Sequence, residues 1–325
     1  MTDSQRVLVT GATGYIGGRL VPLLLQDGHK VRALVRSPEK LHDVPWSHEV
    51  EIVQGDLSDK DSVAKAMQGI DTVYFLVHSM ASGKGFAAQE QEIAHIVADA
   101  AETAGVQRIV YLGGLHPEGE LSPHMRSRTE VGRILLEGKV PAVVYQAGVV
   151  IGSGSASFEM IRHLTETLPV MPAPSWVRRR IEPIAIRDVL HYLVRAVDLP
   201  PDTNRTFDIG SREVLTYAEI MNGYAEEAGL PRRRIYALPL PAPRLAGMWV
   251  ALVTPIPRSM SLPLVESLQH DAVAKERDIN DYIAAPDGGL TNYHDAVTRA
   301  LGKEARNEVE TTWASASSAA DLASE

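Results

Sequence analysis

The sequence predicts an α/β fold, a doubly wound parallel sheet followed by a smaller C-terminal lobe. Three observations carry this expectation. A β-branched run, Val7 to Thr10, meets glycines at Gly11, Gly14 and Gly17 and passes straight into a helical apolar pattern at Ile16, Leu20, Leu23 and Leu24. Five more apolar runs then alternate with helical patterns up to residue 152. Beyond 152 the alternation stops, and prolines gather at Pro169, Pro172 and Pro174.

The first strand is Val7–Thr10. Gly11 lets the chain turn sharply, Gly14 lets backbone approach a pyrophosphate, and Gly17 lets the helix pack close to the strand. The N–H groups and positive dipole end of the helix suit phosphate. Strand, glycine turn and helix in this order form a Rossmann-type dinucleotide signature. The helix is predicted over Ile16–Gln26, ending at Gly28. Pro22 lies inside it, where a bend or a lost hydrogen bond is expected.

The second strand, Lys30–Val35, ends in Arg36-Ser37-Pro38. An acid about 20 residues past the glycines would bind a ribose 2′-hydroxyl, whereas an arginine suits a 2′-phosphate. The position holds Arg36, with Ser37 beside it and Lys40 within reach, so NADP(H) is favoured over NAD(H). The third strand, Val50–Val53, is followed by Asp56 and Leu57, where an adenine would lie. Ser58 can cap a helix over residues 59–67. The fourth strand, Thr72–Val77, leads to His78, a loop at Ser82–Gly85 and a helix over Phe86–Ala104. The fifth, Arg108–Leu112, leads to Gly113-Gly114 and a helix over Met125–Glu137. The sixth, Ala142–Tyr145, leads to Gly148 and Val149.

Ligands of such sheets bind at the carboxyl ends of the strands. The expected cofactor cleft is therefore lined by Gly11, Thr13, Gly14, Tyr15, Ile16, Gly17, Arg36, Ser37, Asp56, Leu57, Leu76, Val77, His78, Arg128, Gly148 and Val149. Residues 1–152 form the expected cofactor domain, 153–302 a substrate-binding lobe packed on it, and 303–325 a polar, disordered tail. In the second half a strand over Arg180–Ile186, a helix capped near Asp188, a short strand over Thr206–Ile209 and a helix over Thr216–Ala228 are predicted. The triplets Arg178–Arg180 and Arg232–Arg234 read as solvated faces. Ala237–Pro257 holds one charge, Arg244, and a helical stripe of Leu245, Met248, Trp249, Leu252 and Val253. It reads as a core helix, or alternatively as a lipophilic lid or membrane-surface contact.

A net charge of −9 and a pI near 5.7 do not suggest a nucleic-acid partner. With no cysteine, disulfides, thiol catalysis and Cys-ligated zinc are excluded, and no metal site is expected. The polar start is unlike a signal peptide, and no apolar run approaches the roughly 20 residues of a membrane span. The cytoplasm is the expected location, and the oligomeric state stays open. The helices over 86–104 and 125–137 offer one face through which a second subunit would pair.

Four segments together resemble the extended and atypical short-chain dehydrogenase/reductases: Thr10–Gly17, Val35-Arg36, Gly55–Leu57 and Ile181–Asp188. The resemblance covers about residues 5–280 and is nearest the group with NmrA-type cofactor sensors, the accessory subunit of respiratory complex I and bacterial NAD(P)H-binding reductases. It implies a catalytic Tyr-x-x-x-Lys on the helix after the fifth strand and a Ser near that strand's end. Here those positions hold His124, Arg128 and Gly113-Gly114. By this resemblance Arg128 would hold the nicotinamide ribose and His124 would stand in as proton donor. His78, His116 and Tyr145 are alternative acids. Two readings follow: an NADP(H)-dependent reductase of a bulky, apolar carbonyl or enone, or a non-catalytic NADP(H) sensor or partner-binding protein.

Overall fold

Short β-branched runs buried on both faces make parallel strands, and the amphipathic runs between them make the covering helices. The computed structural model describes residues 4–77, 85–117, 119, 121–238 and 268–305. In chain order β1 (Arg6–Thr10), α1 (Tyr15–Gln26), β2 (Lys30–Val35), β3 (Glu51–Gln54), α2 (Lys60–Ala66), β4 (Thr72–Phe75) and α3 (Phe86–Ala104) come first. β5 (Arg108–Gly114), α4 (Pro123–Glu137), β6 (Ala142–Ala147), β7 (Val150–Ile151), α5 (Ala156–Thr167) and β8 (Val170–Pro174) follow. Then come β9 (Arg180–Ile181), β10 (Ile184–Ala185), α6 (Ile186–Arg195), β11 (Arg205–Ile209), β12 (Leu215–Thr216), α7 (Tyr217–Glu227) and β13 (Arg234–Leu238). The described chain ends with α8 (Ile279–Tyr282) and α9 (Tyr293–Ala305).

The main sheet has seven parallel strands in the order β11-β6-β5-β4-β1-β2-β3. Its order reverses between β1 and β4, which is where a dinucleotide crosses such a sheet. The six strands read from the first half are all present. The seventh, β11, comes from the second half and pairs with β6 through Phe207↔Tyr145. The sheet thus draws on both sides of residue 152. One apolar layer joins the sheet to α1 and α6, and a second joins its other face to α2, α3 and α4. A third cluster, built from α5, α7, α9 and Trp176, lies in the second half.

α1 tolerates Pro22 through a neighbour. The missing Pro22 N–H would have bonded the carbonyl of Gly18. The indole Nε1–H of buried Trp46 donates to that carbonyl at 3.1 Å instead. The helix ends in a Schellman pair, His29 N to Leu24 O and Gly28 N to Leu25 O, with Gly28 at φ +86°.

Several expectations need correction. β4 ends at Phe75, so Leu76 and Val77 lie past the strand. The strand over 180–186 is two short pieces broken by Glu182-Pro183. Asp188 does not cap α6: it is buried in the first turn, and its carboxylate accepts from the N–H and hydroxyl of Thr291. Arg233 is buried, unlike exposed Arg232 and Arg234. Lys303–Ala305 continue α9, while the rest of the expected tail lies outside the described residues. So do His78, the loop up to Lys84, and all of Ala237–Pro257 except its first two residues. α3 and α4 pack against each other within the chain.

Three buried carboxylates fasten the final segment to the second half. Glu182 accepts both arms of the Arg277 guanidinium at 2.8 and 2.9 Å, and the N–H groups of Arg212 and Ala274. Asp208 accepts from Lys275 N at 2.7 Å, and Asp188 holds Thr291. Among the described residues, no helix is long and apolar enough to cross a membrane.

Candidate cofactor cleft

The cradle begins where β1 ends. Gly11 turns the chain at φ +76°, and its carbonyl accepts the Gly14 N–H at 2.9 Å. A Cβ on Gly17 would lie 2.2 Å from that carbonyl, so only glycine allows this strand–helix approach. The N-terminus of α1 has no side-chain cap and no acid in its first turn. By contrast Asp59 caps α2 and a Thr216–Glu219 capping box closes α7. Uncapped N–H groups at the sheet's switch point suit the pyrophosphate of a dinucleotide. The Thr10 hydroxyl donates to Tyr74 O and accepts from Leu76 N, fixing the β1 and β4 ends side by side. Val77 sits over Gly11 and is partly open to solvent, giving the cleft an apolar floor.

Thr13 is half-buried in the turn. Tyr15 and Ile16 supply main chain to the cradle, while their side chains face the protein. The Tyr15 ring lies 4.1 Å under the Arg19 guanidinium, which donates to Ser153 O at 2.9 Å. A Cβ on Gly152 would come within 2.3 Å of the Tyr15 hydroxyl oxygen, so Gly152 makes room for that ring. Ile16 packs on the core beside α6.

At the next strand end Arg36 is exposed, and Ser37 begins the turn Pro38–Leu41. Among the described residues no carboxylate forms an ion pair with Arg36. The Asp56 carboxyl is committed locally: it accepts Ser58 N at 2.9 Å and Ser58 Oγ at 2.7 Å. Those two bonds hold it below the ordinary carboxylate range, with the Arg36 charge adding a smaller pull. Gly55 lets α2 close on β2, since a Cβ there would meet Ser62 at 2.7 Å. Leu57 is buried in the layer beneath α2.

At the other end, His124 and Arg128 share one face of α4 at i and i+4. Ser122 caps the helix by accepting Met125 N, and Pro123 starts it. The His124 ring stacks on Phe86, the first residue of α3, with centroids 4.5 Å apart. The Arg128 guanidinium reaches Gly114, lying 3.7 Å from where a Cβ would be. The two glycines leave space rather than a hydroxyl. A cavity of about 150 Å³ opens there, lined by Gly113, Gly114, Arg128, Gln146 and Thr206. That volume is far below the ~300–1,000 Å³ of drug-sized pockets.

The alternative acids separate. Tyr145 is fully buried, and its hydroxyl donates to Tyr192 O inside the α6 layer. Burial pushes its pKa well up, and with its hydroxyl enclosed and committed to Tyr192 it does not face the cleft. His116 is half-buried at the end of β5, between Pro117 O and the Gln146 side chain. Gly148 packs so tightly on Glu182 O that a Cβ would sit 1.9 Å away, and Val149 O accepts from Ile184 N. Two residues had no signal in the sequence: Phe86, which backs His124, and Glu90 one turn on, which accepts the Ser127 hydroxyl across α3 and α4. Both sit in an amphipathic pattern that any packing helix shows.

Known proteins match this arrangement. Residues 11–140 fit the family model described as NAD(P)H-binding. The chain is 29% identical over 253 residues to a ceramide reductase of Caulobacter vibrioides, covering 77% of this chain and 78% of that protein. A Mycobacterium tuberculosis 3 beta-hydroxysteroid dehydrogenase/isomerase is 36% identical over 121 residues, covering 34% of this chain and 32% of that protein. Among solved structures, Citrobacter triphenylmethane reductase complexed with NADP(H) superposes with a TM-score of 0.70 at 19% identity, covering 91% and 100% of the two chains. Residues 11–140 thus match an NAD(P)H-binding family model, on a fold shared with the triphenylmethane reductase structure.

Proposed function

We propose that the protein is an NADP(H)-dependent oxidoreductase that reduces a bulky, apolar carbonyl or enone. The observation that carries this reading is the layout of groups along the carboxyl edge of one sheet. An uncapped helix N-terminus and an exposed Arg36, without an ion pair among the described residues, lie at one end, and Arg128 with His124 above a glycine-lined strand end at the other. Residues 153–302 would supply the substrate-binding lobe. The ceramide and steroid named for the two relatives are large and apolar, which supports the substrate class.

NADPH, when bound, supplies the hydride. The chain's own residues bind, orient and protonate. The N–H groups of the α1 start and the Arg36 fork would hold the phosphates. Arg128, a permanent donor, would hold ribose hydroxyls. The imidazolium of His124 would pass its proton to the substrate oxygen, and the stack on Phe86 would keep the ring in place. For a carbonyl, the carbon gains a hydride and the oxygen a proton, giving an alcohol and NADP+; for an enone, the β carbon gains the hydride, the oxygen the proton, and the resulting enol tautomerises to the saturated ketone.

A second reading, a non-catalytic NADP(H) sensor, is favoured by the glycines where the family carries a hydroxyl. The test is NADPH oxidation across a panel of long-chain and polycyclic ketones and enones. Substrate-dependent oxidation is expected, with His124→Ala slowing turnover by roughly 100-fold or more while NADPH affinity holds. Tight NADPH binding with no turnover on any member would favour the sensor. Full activity in His124→Ala would remove that residue from its role.

A further inference from the structure

We propose that the outer face of the β8–β13 ribbon is a contact for an anionic lipid surface. The two strands run parallel, with Arg234 beside Val170, Tyr236 beside Pro172 and Leu238 beside Pro174. Alternation sends Met171 and Ala173 inward, and Ile235 and Ala237 pack with them on the α5–α7 cluster. The opposite face should then be polar, as a solvated sheet face is. It is apolar: Val170 is 51% exposed, Tyr236 57% and Leu238 40%, with Pro172 exposed between them. A contiguous apolar patch on a water-facing ribbon marks an interaction site.

Charge identifies the partner. Exposed Arg232 and Arg234 stand at the end where both strands begin. Exposed Arg178 and Arg179 follow the other end of β8. Arg180 is taken by Asp271 at 3.1 Å. The described residues 167–181 and 229–238 together contain six arginines and no Asp or Glu, in a chain of net charge −9. Charges farther than about 8 Å are screened at physiological salt, so exposed Arg232 and Arg234 at the start of the ribbon, with Arg178 and Arg179 beyond the end of β8, weigh most at this face. The chain's own residues 239–267 are apolar enough to cover the ribbon. Yet they bring Arg244 and Arg258 and no acid before Glu266, so they offer the patch no opposite charge. A bilayer with anionic headgroups offers an apolar interior and negative charge together, and a tyrosine between arginines is the side chain suited to that boundary.

The test is flotation of the full chain with vesicles of phosphatidylcholine alone and of equimolar phosphatidylcholine and phosphatidylglycerol. The protein is expected to float with the anionic vesicles, to stay behind with the neutral ones, and to be released by high salt. Arg232→Gln and Arg234→Gln should each lower partition by roughly fivefold, from about 1 kcal/mol per basic residue near such a surface. Tyr236→Asp should lower it further. NADPH binding by each variant reports the fold and keeps this outcome separate from the cofactor reading. Absence of flotation, or flotation unchanged in Tyr236→Asp, would overturn the proposal. So would loss of thermal stability in Tyr236→Asp without vesicle binding by the parent, the sign of a face closed by residues 239–267. A concentration-dependent dimer that Tyr236→Asp dissolves would instead assign the face to a second copy.

Discussion

Gly17 is the residue on which the cleft turns. Its missing Cβ is the space that the Gly11 carbonyl fills. Gly17→Ala should lower stability by about 1–3 kcal/mol in a urea melt, as overpacking does, and weaken NADPH binding with it. His29 makes a separate prediction. It is buried, its Nδ1 accepts Gln5 N, and burial lowers its pKa below 6.5. Between that lowered value and 6.5 the unfolded chain binds the extra proton, so stability is full above 6.5 and falls as pH drops through the window. Replacing His29 by Gln should flatten that part of a stability-versus-pH profile. An unchanged slope would show that other groups produce it. The glycine turn and Arg36 were legible in the sequence because turn chemistry and strand-end position are local properties. Tyr145 was not, because a tyrosine at a strand end can face either side of the sheet, and only packing against Tyr192 decides which.

At the scale of elements, two repairs hold the scaffold. Trp46 donates to the carbonyl that Pro22 orphans. Trp46→Phe keeps the ring and removes the donor, and should cost about 1 kcal/mol in a chemical melt. Pro22 announced the defect in the sequence, but its remedy lies 24 residues away and could not be seen from the helix pattern. The Glu182 carboxylate, fully buried, is neutralised by Arg277. Arg277→Ala leaves that charge with backbone donors alone and should cost about 2–3 kcal/mol. Loosened protection of residues 268–292 in hydrogen exchange would locate the loss. A global loss with those amides still protected would contradict the assignment. Glu182-Pro183 read as part of one strand because its neighbours are β-branched. Pro183 and the close approach of Gly148 break that strand, and these are facts of tertiary contact.

For the whole molecule, the first half of the sheet was readable because β1, β3, β4 and β5 are each followed by a covering helix, so the pattern repeats locally. β11 escaped that logic. It lies 58 residues beyond β6, its sheet partner, and the strands between them pair in separate small sheets, so its place in the main sheet was not legible although a strand over Thr206–Ile209 was. Its placement makes the second half a structural part of the cofactor sheet, so damage to the β11 edge should reach the β6 end at Gly148.

The most direct measurement is a titration of the purified chain with NADPH and with NADH, followed by cofactor fluorescence, repeated on Arg36→Ala. The account predicts that NADPH binds more tightly than NADH and that the variant loses this preference, by roughly tenfold or more for a lost charge-assisted phosphate contact. Equal affinity for both cofactors would contradict the role given to Arg36. Binding of neither would contradict the cleft itself.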